Sequence, residues 1–321
     1  MLASTRIKDA ICDELREWGR PKPPRPEVSS DAHLPLFATF YRGEVQLYRD
    51  MSGGSLHKRG YRAGSMHRAA LAETAAAGML LHAGYFPPMM REGGAEEPLP
   101  DLVDPMCGSG AILIEAALIA SDVAPGLGRN PSADAWPFLR WHDADKAAFS
   151  SVYDDACERA EVGERDLLPR ASIVGNDIHP AAVHMTARDA AAARVEEALE
   201  LSNEDAALLT LAPGGRKLCV TNPPWGGEGA RLEGGEAGTQ RSWESLAAFL
   251  RREVGGGDCY ALSGDPGATR HLRMRAETKV PLVVGGVDTR LLHYKIFAPQ
   301  QREGRAEEAR PSADGPDAGA R

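Results

Sequence analysis

The stretch Asp104-Pro105-Met106-Cys107-Gly108-Ser109-Gly110 decides the fold. It lies between a short apolar strand, Leu102-Val103, and a helix predicted over Ala111–Ser121 that Ser109 would cap. Glycines here let the backbone turn tightly and approach a ligand, at the strand end where an open α/β sheet binds its cofactor. The stretch lacks GxGxxG and a following Lys-Ser/Thr, so it is not a phosphate loop. Asp104 suits a ligand with cationic and hydroxyl groups, and a plain glycine turn is the alternative.

Strand and helix patterns alternate after this stretch. The strands are Ser172–Val174, Leu199–Leu201, Lys217–Thr221 and Cys259–Leu262, the helices are Ala181–Val195 and Ser242–Val254, and a hairpin joins Leu282–Val284 to Thr289–Phe297. Such alternation predicts an α/β fold with a mainly parallel sheet, helices on both faces and an antiparallel edge hairpin. The segment from Val123 to Arg170, rich in Gly, Pro and Trp, is interpreted as a long insertion.

The amino-terminal part has a different pattern. Helical spacing over residues 6–18, a proline-rich linker over Pro21–Pro26 and two strands, Leu36–Tyr41 and Glu44–Arg49, predict a small α+β appendage over residues 1–62. An alanine-rich helix over Ser65–Ala83 begins the α/β domain, predicted over residues 63–300. The charged, Gly- and Pro-rich residues 301–321 are predicted to form a disordered tail.

Composition and charge exclude several classes of protein. The chain has no apolar run of about eighteen residues and no apolar signal core in Met1–Trp18, so we expect neither a membrane span nor secretion. The scattered cysteines indicate reduced thiols in an intracellular, cytoplasmic protein, with neither disulfides nor a metal site. A net charge of −9 disfavours nucleic-acid binding, but residues 1–70 carry more basic than acidic side chains.

A second acid, Asp177, follows the predicted strand at Val174-Gly175-Asn176. A carboxylate in this position of an α/β fold can accept hydrogen bonds from both hydroxyls of a ribose. The usual separation from the first loop is about twenty residues. The larger separation here requires the segment from Val123 to Arg170 to be inserted. A helix N-cap is the alternative role for Asp177.

The sharpest motif is Asn222-Pro223-Pro224-Trp225-Gly226, directly after the strand Lys217–Thr221. The two prolines hold the chain extended and have no N–H group of their own. The Asn222 side-chain oxygen and the Pro223 carbonyl could therefore accept both hydrogens of one –NH₂ group. This localises the nitrogen lone pair of an amine that is otherwise conjugated with a base ring. Trp225 offers a face for stacking an extruded base, worth about 1–3 kcal/mol.

With these motifs in view, the chain resembles the guanine-N2 RNA methyltransferases that carry an N-terminal THUMP domain. That family comprises bacterial large-subunit rRNA enzymes and archaeal and eukaryotic tRNA relatives. The resemblance runs from about Glu44 to Phe297 and rests on Tyr48–Arg62, Leu71–Ala77, Asp104–Gly110 and Asn222–Gly226. The family also carries an insertion that begins with an Ala-Pro-Gly sequence, here Ala124-Pro125-Gly126, which accounts for the distance to Asp177.

The resemblance implies a class I Rossmann-like fold with a seven-stranded sheet, and S-adenosylmethionine as the cofactor. By similarity, the loop from Asp104 to Gly110 would hold the methionine part of the cofactor and Asp177 with Ile178 its ribose. Asp205 would bind the adenine amine, and Glu73 and Thr74 would close the pocket. Asn222, Pro223, Pro224 and Trp225 would form the catalytic loop, in which Asn222 would also contact the cofactor. Only the last part of a THUMP domain fits before Asp50, so we expect a shortened RNA-binding part.

The expected partner is rRNA or tRNA, bound by a monomer, and a further protein is expected to supply RNA affinity. The cationic cluster of His57, Lys58, Arg59 and Arg62 is predicted to contact phosphates, and a solvated turn is its alternative. The tryptophans Trp136 and Trp141 are expected to pack in the core or a lid, and His179, His184 and His293 to be unpaired. DNA adenine methylation, protein glutamine methylation and a non-catalytic scaffold are the alternative functions.

Overall fold

The computed structural model describes residues 2–19, 34–62, 70–129, 131–226 and 235–298. The chain forms two compact units: Met1–Leu56 with Arg129–Asp155, and His57–Gly128 with Ala156–Arg321. The predicted linker over Pro21–Pro26 and the predicted tail over residues 301–321 lie outside the described residues. The domain limits expected at residues 62 and 300 stay predictions.

The helices and strands follow one another in an order close to the predicted one. Over the described residues the helices are α1 (Leu2–Glu17), α2 (Glu73–His82), α3 (Ala111–Ala120), α4 (Lys146–Val162), α5 (Pro180–Ala193), α6 (Gly235–Glu253) and α7 (Pro266–Thr269). The strands are β1 (Leu36–Tyr41), β2 (Glu44–Arg49), β3 (Asp101–Asp104), β4 (Ile173–Asn176), β5 (Leu199–Ser202), β6 (Lys217–Thr221), β7 (Asp258–Ser263), β8 (Thr278–Val284) and β9 (Val287–Lys295).

In the first unit, β1 and β2 form the predicted hairpin. They pair antiparallel from Leu36 opposite Arg49 to Tyr41 opposite Glu44. The two turn residues, Arg42 and Gly43, have positive φ angles of 50° and 82°. This backbone matches the right-handed twist of the flanking strands, which is why two-residue hairpins favour it.

In the second unit, seven strands form one sheet in the order β5-β4-β3-β6-β7-β9-β8. The strands from β5 to β7 in this order pair parallel, and β9 pairs antiparallel with both β7 and β8. The predicted mainly parallel sheet with an antiparallel edge is thereby confirmed. The chain order reverses between the neighbours β3 and β6, and such a switch point is where open α/β sheets bind ligands.

Neighbouring residues of the central strands enter two different cores, because side chains alternate across a sheet. Leu102 of β3 and Leu218 of β6 pack in a cluster that includes α2 and α3. Val103 and Cys219, the next residue in each strand, pack in a cluster built on α6. The sheet is therefore covered on both faces, as the alternating sequence pattern predicts.

Three local predictions need correction. The helix expected over Ser65–Ala83 begins only at Glu73, because Ala72 is extended, and residues 63–69 lie outside the described part. Ser109 does not cap α3: Gly110 occupies that position in a left-handed conformation without a side-chain cap. Helix α4 was not predicted, and none of its residues is fully buried, so it lacks a strong apolar stripe.

Candidate active site

The predicted site residues gather at one edge of the sheet. Asp104 ends β3, Asp177 follows β4, Asp205 follows β5 and Asn222 follows β6. These four strands pair parallel to one another, so that their carboxyl ends open on the same edge. The structure thus brings together residues that lie more than a hundred positions apart in the sequence.

The loop after β3 is held by hydrogen bonds from its own backbone and from helix α5. The Met106 amide donates to Asp104 Oδ1 at 3.1 Å, and Thr186 of α5 donates to the Gly108 carbonyl at 3.0 Å. A Cβ added at Gly110 would lie 2.5 Å from Cγ2 of Thr186, and Gly110 has a φ of 75°. Glycine is required at this position both for its backbone conformation and for the close approach of α5.

Asp104 is an acidic residue whose side chain is almost completely buried. Its side chain is 1% exposed, and this burial raises its pKa from 3.8 to about 7. Burial disfavours the charged form of a carboxyl group, and the nearby carboxylate of Asp177 acts in the same direction. A cation bound beside Asp104 would lower this pKa and favour the ionised form. Burial also raises the pKa of the Cys107 thiol, which is therefore protonated and not a nucleophile.

The carboxylate of Asp177 joins two segments. Its Oδ2 accepts a hydrogen bond from the Gly108 amide at 2.9 Å, and its Oδ1 accepts one from the His179 amide at 2.9 Å. The second bond lies at the start of α5, where His179 is the N-cap residue. Asp177 is therefore not the N-cap of α5, since its carboxylate bonds the amide of the N-cap residue itself. Its contact with the ribose hydroxyls stays a prediction. The next residue, Ile178, is an apolar side chain that is 59% exposed at this edge.

Asn176 was missed in the sequence, although it connects three loops of the site. Its side chain is fully buried, and its Nδ2 donates to the carbonyls of Pro105 and Glu204, each at 3.0 Å. Its Oδ1 accepts hydrogen bonds from Ser202 Oγ at 3.0 Å and from the Glu204 amide at 3.1 Å. The available signal was a polar residue at the end of an apolar strand, immediately before Asp177.

The loop that carries Asp205 is fastened to its surroundings. Asp205 Oδ1 accepts a hydrogen bond from the Ala207 amide at 2.8 Å. Arg252 of α6 donates to the carbonyls of Ala207 and Leu209, and Asn203 donates to the Asp177 carbonyl at 2.7 Å. Asp205 is half-buried, so that its remaining oxygen can reach a ligand.

The Asn-Pro-Pro-Trp loop is held by two indole groups. Trp225 Nε1 donates to Asn222 Oδ1 at 3.1 Å, and Trp243 Nε1, from α6, donates to the Pro224 carbonyl at 2.8 Å. Pro223 is buried, while Asn222 and Trp225 are half-buried at the sheet edge. The amide oxygen and the aromatic ring that the sequence analysis singled out are therefore neighbours, and they contact each other.

Glu73 lies at the first position of α2 and is 3% exposed. Its carboxylate lies 3.8 Å from His57 Nδ1 and 3.8 Å from Arg62 Nη1. Arg62 also donates to the Leu71 carbonyl at 2.8 Å and to Ser109 Oγ at 3.4 Å, which links this group to the loop after β3. Glu73 Oε2 and His57 Nδ1 have no hydrogen-bond partner, although both atoms are buried. Thr74, the next residue of α2, is exposed.

The cationic cluster predicted to contact phosphates divides into two kinds of residue. The side chains of Arg59 and Arg62 are 10% and 8% exposed, and each pairs with a buried glutamate. Arg59 donates to both oxygens of Glu115 at 3.3 Å, and Tyr61 donates to the same carboxylate at 3.0 Å. Both guanidinium groups therefore pair with glutamates inside the fold, and contact of Arg59 and Arg62 with phosphates stays a prediction. The side chain of Lys58 is exposed.

Two further expectations have definite outcomes away from this edge. His293 is not unpaired: its Nε2 lies 2.8 Å from Asp258 Oδ1, and its ring stacks on Tyr260 at 4.5 Å. In the first unit, Trp136 and Trp141 are half-buried and each contacts Phe138 edge to face. Among the described residues, no helix has the length and apolarity to cross a membrane, and no metal-binding cluster is present.

The strand order, with acids after β3 and β4 and an Asn-Pro-Pro-Trp loop after β6, defines a class I Rossmann-like methyltransferase fold. Comparison with known proteins supports this fold class and identifies a family within it. Residues 59–293 match the family described as the RMKL-like methyltransferase domain. The chain therefore belongs to that family.

Individual relatives agree. The ribosomal RNA large subunit methyltransferase K/L of Chromohalobacter salexigens is 34% identical over 294 residues, which is 91% of this chain and 37% of that protein. The chain thus spans little more than a third of the length of this relative. A "possible methylase" from Clostridium difficile 630 is 27% identical, with a TM-score of 0.71, over 91% of this chain and 69% of that one. SMU.472, solved in complex with SAH, is 23% identical, with a TM-score of 0.71, over 91% of this chain and 68% of that one, and shows the same fold.

Proposed function

We propose that this chain transfers the methyl group of S-adenosylmethionine to the exocyclic N2 amine of guanine in large-subunit rRNA. One observation carries the proposal: Asn222 follows β6, the direct parallel neighbour of β3, whose loop is the candidate cofactor site. An acceptor for an amine and a site for a methyl donor therefore lie side by side at the switch point of the sheet.

The residues at this edge fit S-adenosylmethionine, which supplies an electrophilic methyl group on a sulfonium when it is bound. Asp104 offers a buried carboxyl for a cationic amino-acid end, and Gly108, whose added Cβ would meet nothing within 4 Å, leaves room for close approach of a ligand to the backbone. Asp177 is the candidate acceptor for the ribose hydroxyls, with Ile178 exposed beside it. Asp205 is placed after β5, where an acceptor for the adenine amine is expected. The orphaned Glu73 Oε2 is a further buried acceptor near the same loop.

Asn222 makes an amine reactive by accepting its hydrogens. The Asn222 oxygen has two lone pairs, of which Trp225 Nε1 occupies one, so the second can accept a substrate N–H. The Pro224 carbonyl accepts from Trp243 of α6, and the Pro223 carbonyl is the second acceptor in the proposal. Bound S-adenosylmethionine would supply the methyl group for the new N–C bond and leave as S-adenosylhomocysteine. Asn222 Oδ1, the Pro223 carbonyl or water would take up the proton that the nitrogen releases.

The identity of the substrate rests on similarity to relatives. Curated relatives at 34% and 35% identity are large-subunit rRNA methyltransferases, which favours rRNA over tRNA, DNA or protein. Guanine N2 follows from the resemblance of Tyr48–Arg62 and of the Asn222 loop to guanine-N2 enzymes. Adenine in DNA and glutamine in protein are the alternative amines, since an Asn-Pro-Pro-Trp loop suits all three. A non-catalytic scaffold is disfavoured, because it would not need Asp104, Asp177 and Asn222 together.

The first test is the class of molecule that receives the methyl group. The purified chain is incubated with tritiated S-adenosylmethionine and, in parallel, with unmodified large-subunit rRNA, DNA and ribosome-free cell protein. We expect label in the RNA, released by ribonuclease. Label in DNA or protein would show that the proposed RNA substrate is wrong. Binding of S-adenosylhomocysteine without any methyl transfer would indicate a non-catalytic scaffold. Monomeric state, RNA affinity supplied by another protein and a cytoplasmic location stay predictions.

A further inference from the structure

Gly264 lies at the end of β7, next to the ring of Trp225. A Cβ added at Gly264 would lie 2.5 Å from Cζ3 and 2.7 Å from Cε3 of that ring. Such distances are too short for any real contact, so that either the ring or the backbone would have to move. The φ of Gly264 is not in the positive region reserved for glycine. Glycine is therefore needed at position 264 because a side chain would not fit, and not because the backbone has a positive φ.

The same tryptophan ring is fixed at its other end. Its Nε1 donates to Asn222 Oδ1 at 3.1 Å, within the four-residue loop Asn222–Trp225. The backbone of this loop is in turn held by Trp243, a fully buried residue of α6, through the Pro224 carbonyl. With the backbone fixed, the position of the Trp225 ring sets which way the Asn222 amide group faces.

We infer that Gly264 is a positioning residue for methyl transfer: it lets Trp225 lie against the end of β7, from where the indole N–H holds the Asn222 oxygen toward the substrate amine. This inference deepens the proposed function and rests on it for the role of Asn222. A donor on one lone pair prevents rotation of the amide, which would otherwise present its NH₂ group, a donor, to an amine that also donates. A larger residue at position 264 would displace the ring and release the amide.

The geometry can be tested without any activity, by NMR of the indole N–H groups in the ligand-free protein. The Trp225 signal is assigned as the one missing in Trp225→Phe. We expect Asn222→Ala and Gly264→Ala to move this signal, because the hydrogen bond is lost in both. The control is Gly78→Ala, at an exposed glycine of α2 whose added Cβ would meet nothing within 4 Å. An unmoved Trp225 signal in Gly264→Ala would overturn the inference.

The consequence for catalysis is tested with a double-variant cycle on the RNA substrate. Loss of one hydrogen bond should lower kcat about tenfold in Gly264→Ala and in Trp225→Phe, and leave the affinity for S-adenosylhomocysteine unchanged. Because Gly264 acts through Trp225, adding Gly264→Ala to Trp225→Phe should cause no further loss. A full additional loss would show that Gly264 acts through β7 instead.

The two experiments separate the inference from the proposed function. If the indole signal moves as expected but no RNA is methylated, the geometry stands and the proposed function fails. If RNA is methylated while the Gly264→Ala variant matches Gly78→Ala in kcat, the function stands and the positioning role is wrong.

Discussion

The Gly108 amide donates a hydrogen bond to Asp177 Oδ2 at 2.9 Å, across a separation of 69 residues in the sequence. This bond ties the loop after β3 to the end of β4. The second oxygen of Asp177 is bonded to the His179 amide, so the carboxylate cannot rotate freely. A ribose that binds to Asp177 would therefore meet an acceptor that is already oriented.

Replacing Asp177 should weaken cofactor binding. We expect Asp177→Ala to lower the affinity for S-adenosylhomocysteine by about tenfold to a hundredfold, because hydrogen bonds to a charged group contribute about 1.5–3 kcal/mol. Calorimetric titration measures this directly. Asp288→Ala, at an exposed acid of β9, serves as the control. Equal affinities for the wild type and Asp177→Ala would show that Asp177 does not bind the cofactor.

Asn176 should be needed for stability, although it is not expected to touch any substrate. Its replacement by Ala leaves the half-buried Glu204 amide and two carbonyls without their partner. We expect a loss of about 2–3 kcal/mol in the free energy of unfolding, measured by urea denaturation. Asn203→Ala removes one exposed amide with a single bond and should cost clearly less. Similar losses in both variants would contradict the role given to the Asn176 network.

Arg59 and Lys58 are neighbours in sequence with opposite expected roles. Removing Arg59 leaves Glu115 buried without its cation, and burial already raises the pKa of that carboxyl. Arg59→Ala should therefore destabilise the protein by about 3–5 kcal/mol, seen as a lower melting temperature. Lys58→Ala should leave the melting temperature unchanged and reduce RNA affinity in a salt-dependent way, measured by fluorescence anisotropy. A stable Arg59→Ala variant with reduced RNA affinity would restore the phosphate-contact hypothesis.

Asp104 predicts a specific dependence of stability on pH. Burial raises its pKa from 3.8 to about 7, so the proton is held more tightly in the folded state than in the unfolded state. This contribution to stability is complete below pH 3.8 and is lost as the pH rises to about 7. Relative to Asp104→Asn, the wild type should become progressively less stable over this range. A constant difference in free energy of unfolding between the two proteins would contradict the raised pKa.

The same group makes a prediction for binding. A cationic ligand beside Asp104 favours its ionised form, so affinity for S-adenosylhomocysteine should increase with pH up to about 7. Protons should be released on binding, which calorimetry in buffers of different ionisation enthalpy detects. In Asp104→Asn both effects should disappear.

Much of the fold could be predicted because its signals are local. Three strands have the bounds that were predicted, because apolar runs and turn residues mark their ends. They are Lys217–Thr221 and the two hairpin strands Leu36–Tyr41 and Glu44–Arg49. Helix α4 gave no such signal, because its side chains are not buried in a single stripe. The common location of the site loops at one edge of the sheet could be predicted from the parallel topology alone.

The parts of the site that escaped prediction depend on partners distant in sequence. Arg59 reads as a solvated cation until Glu115, 56 residues away, is seen to be buried against it. Asn176 has a role only where the loops that carry Pro105 and Glu204 meet. The role of Gly264 depends on the Trp225 ring that lies against it, and the sequence does not show this contact. A single sequence contains no record of these contacts.

The central claim is that Asn222 activates the N2 amine of guanine, and mass spectrometry of digested RNA tests it most directly. Unmodified large-subunit rRNA is treated with S-adenosylmethionine and either the wild type or Asn222→Ala, and the nucleosides are then separated. We expect N2-methylguanosine with the wild type and none with Asn222→Ala, while both bind S-adenosylhomocysteine with nearly equal affinity. N6-methyladenosine with the wild type, or undiminished N2-methylguanosine with Asn222→Ala, would contradict the claim.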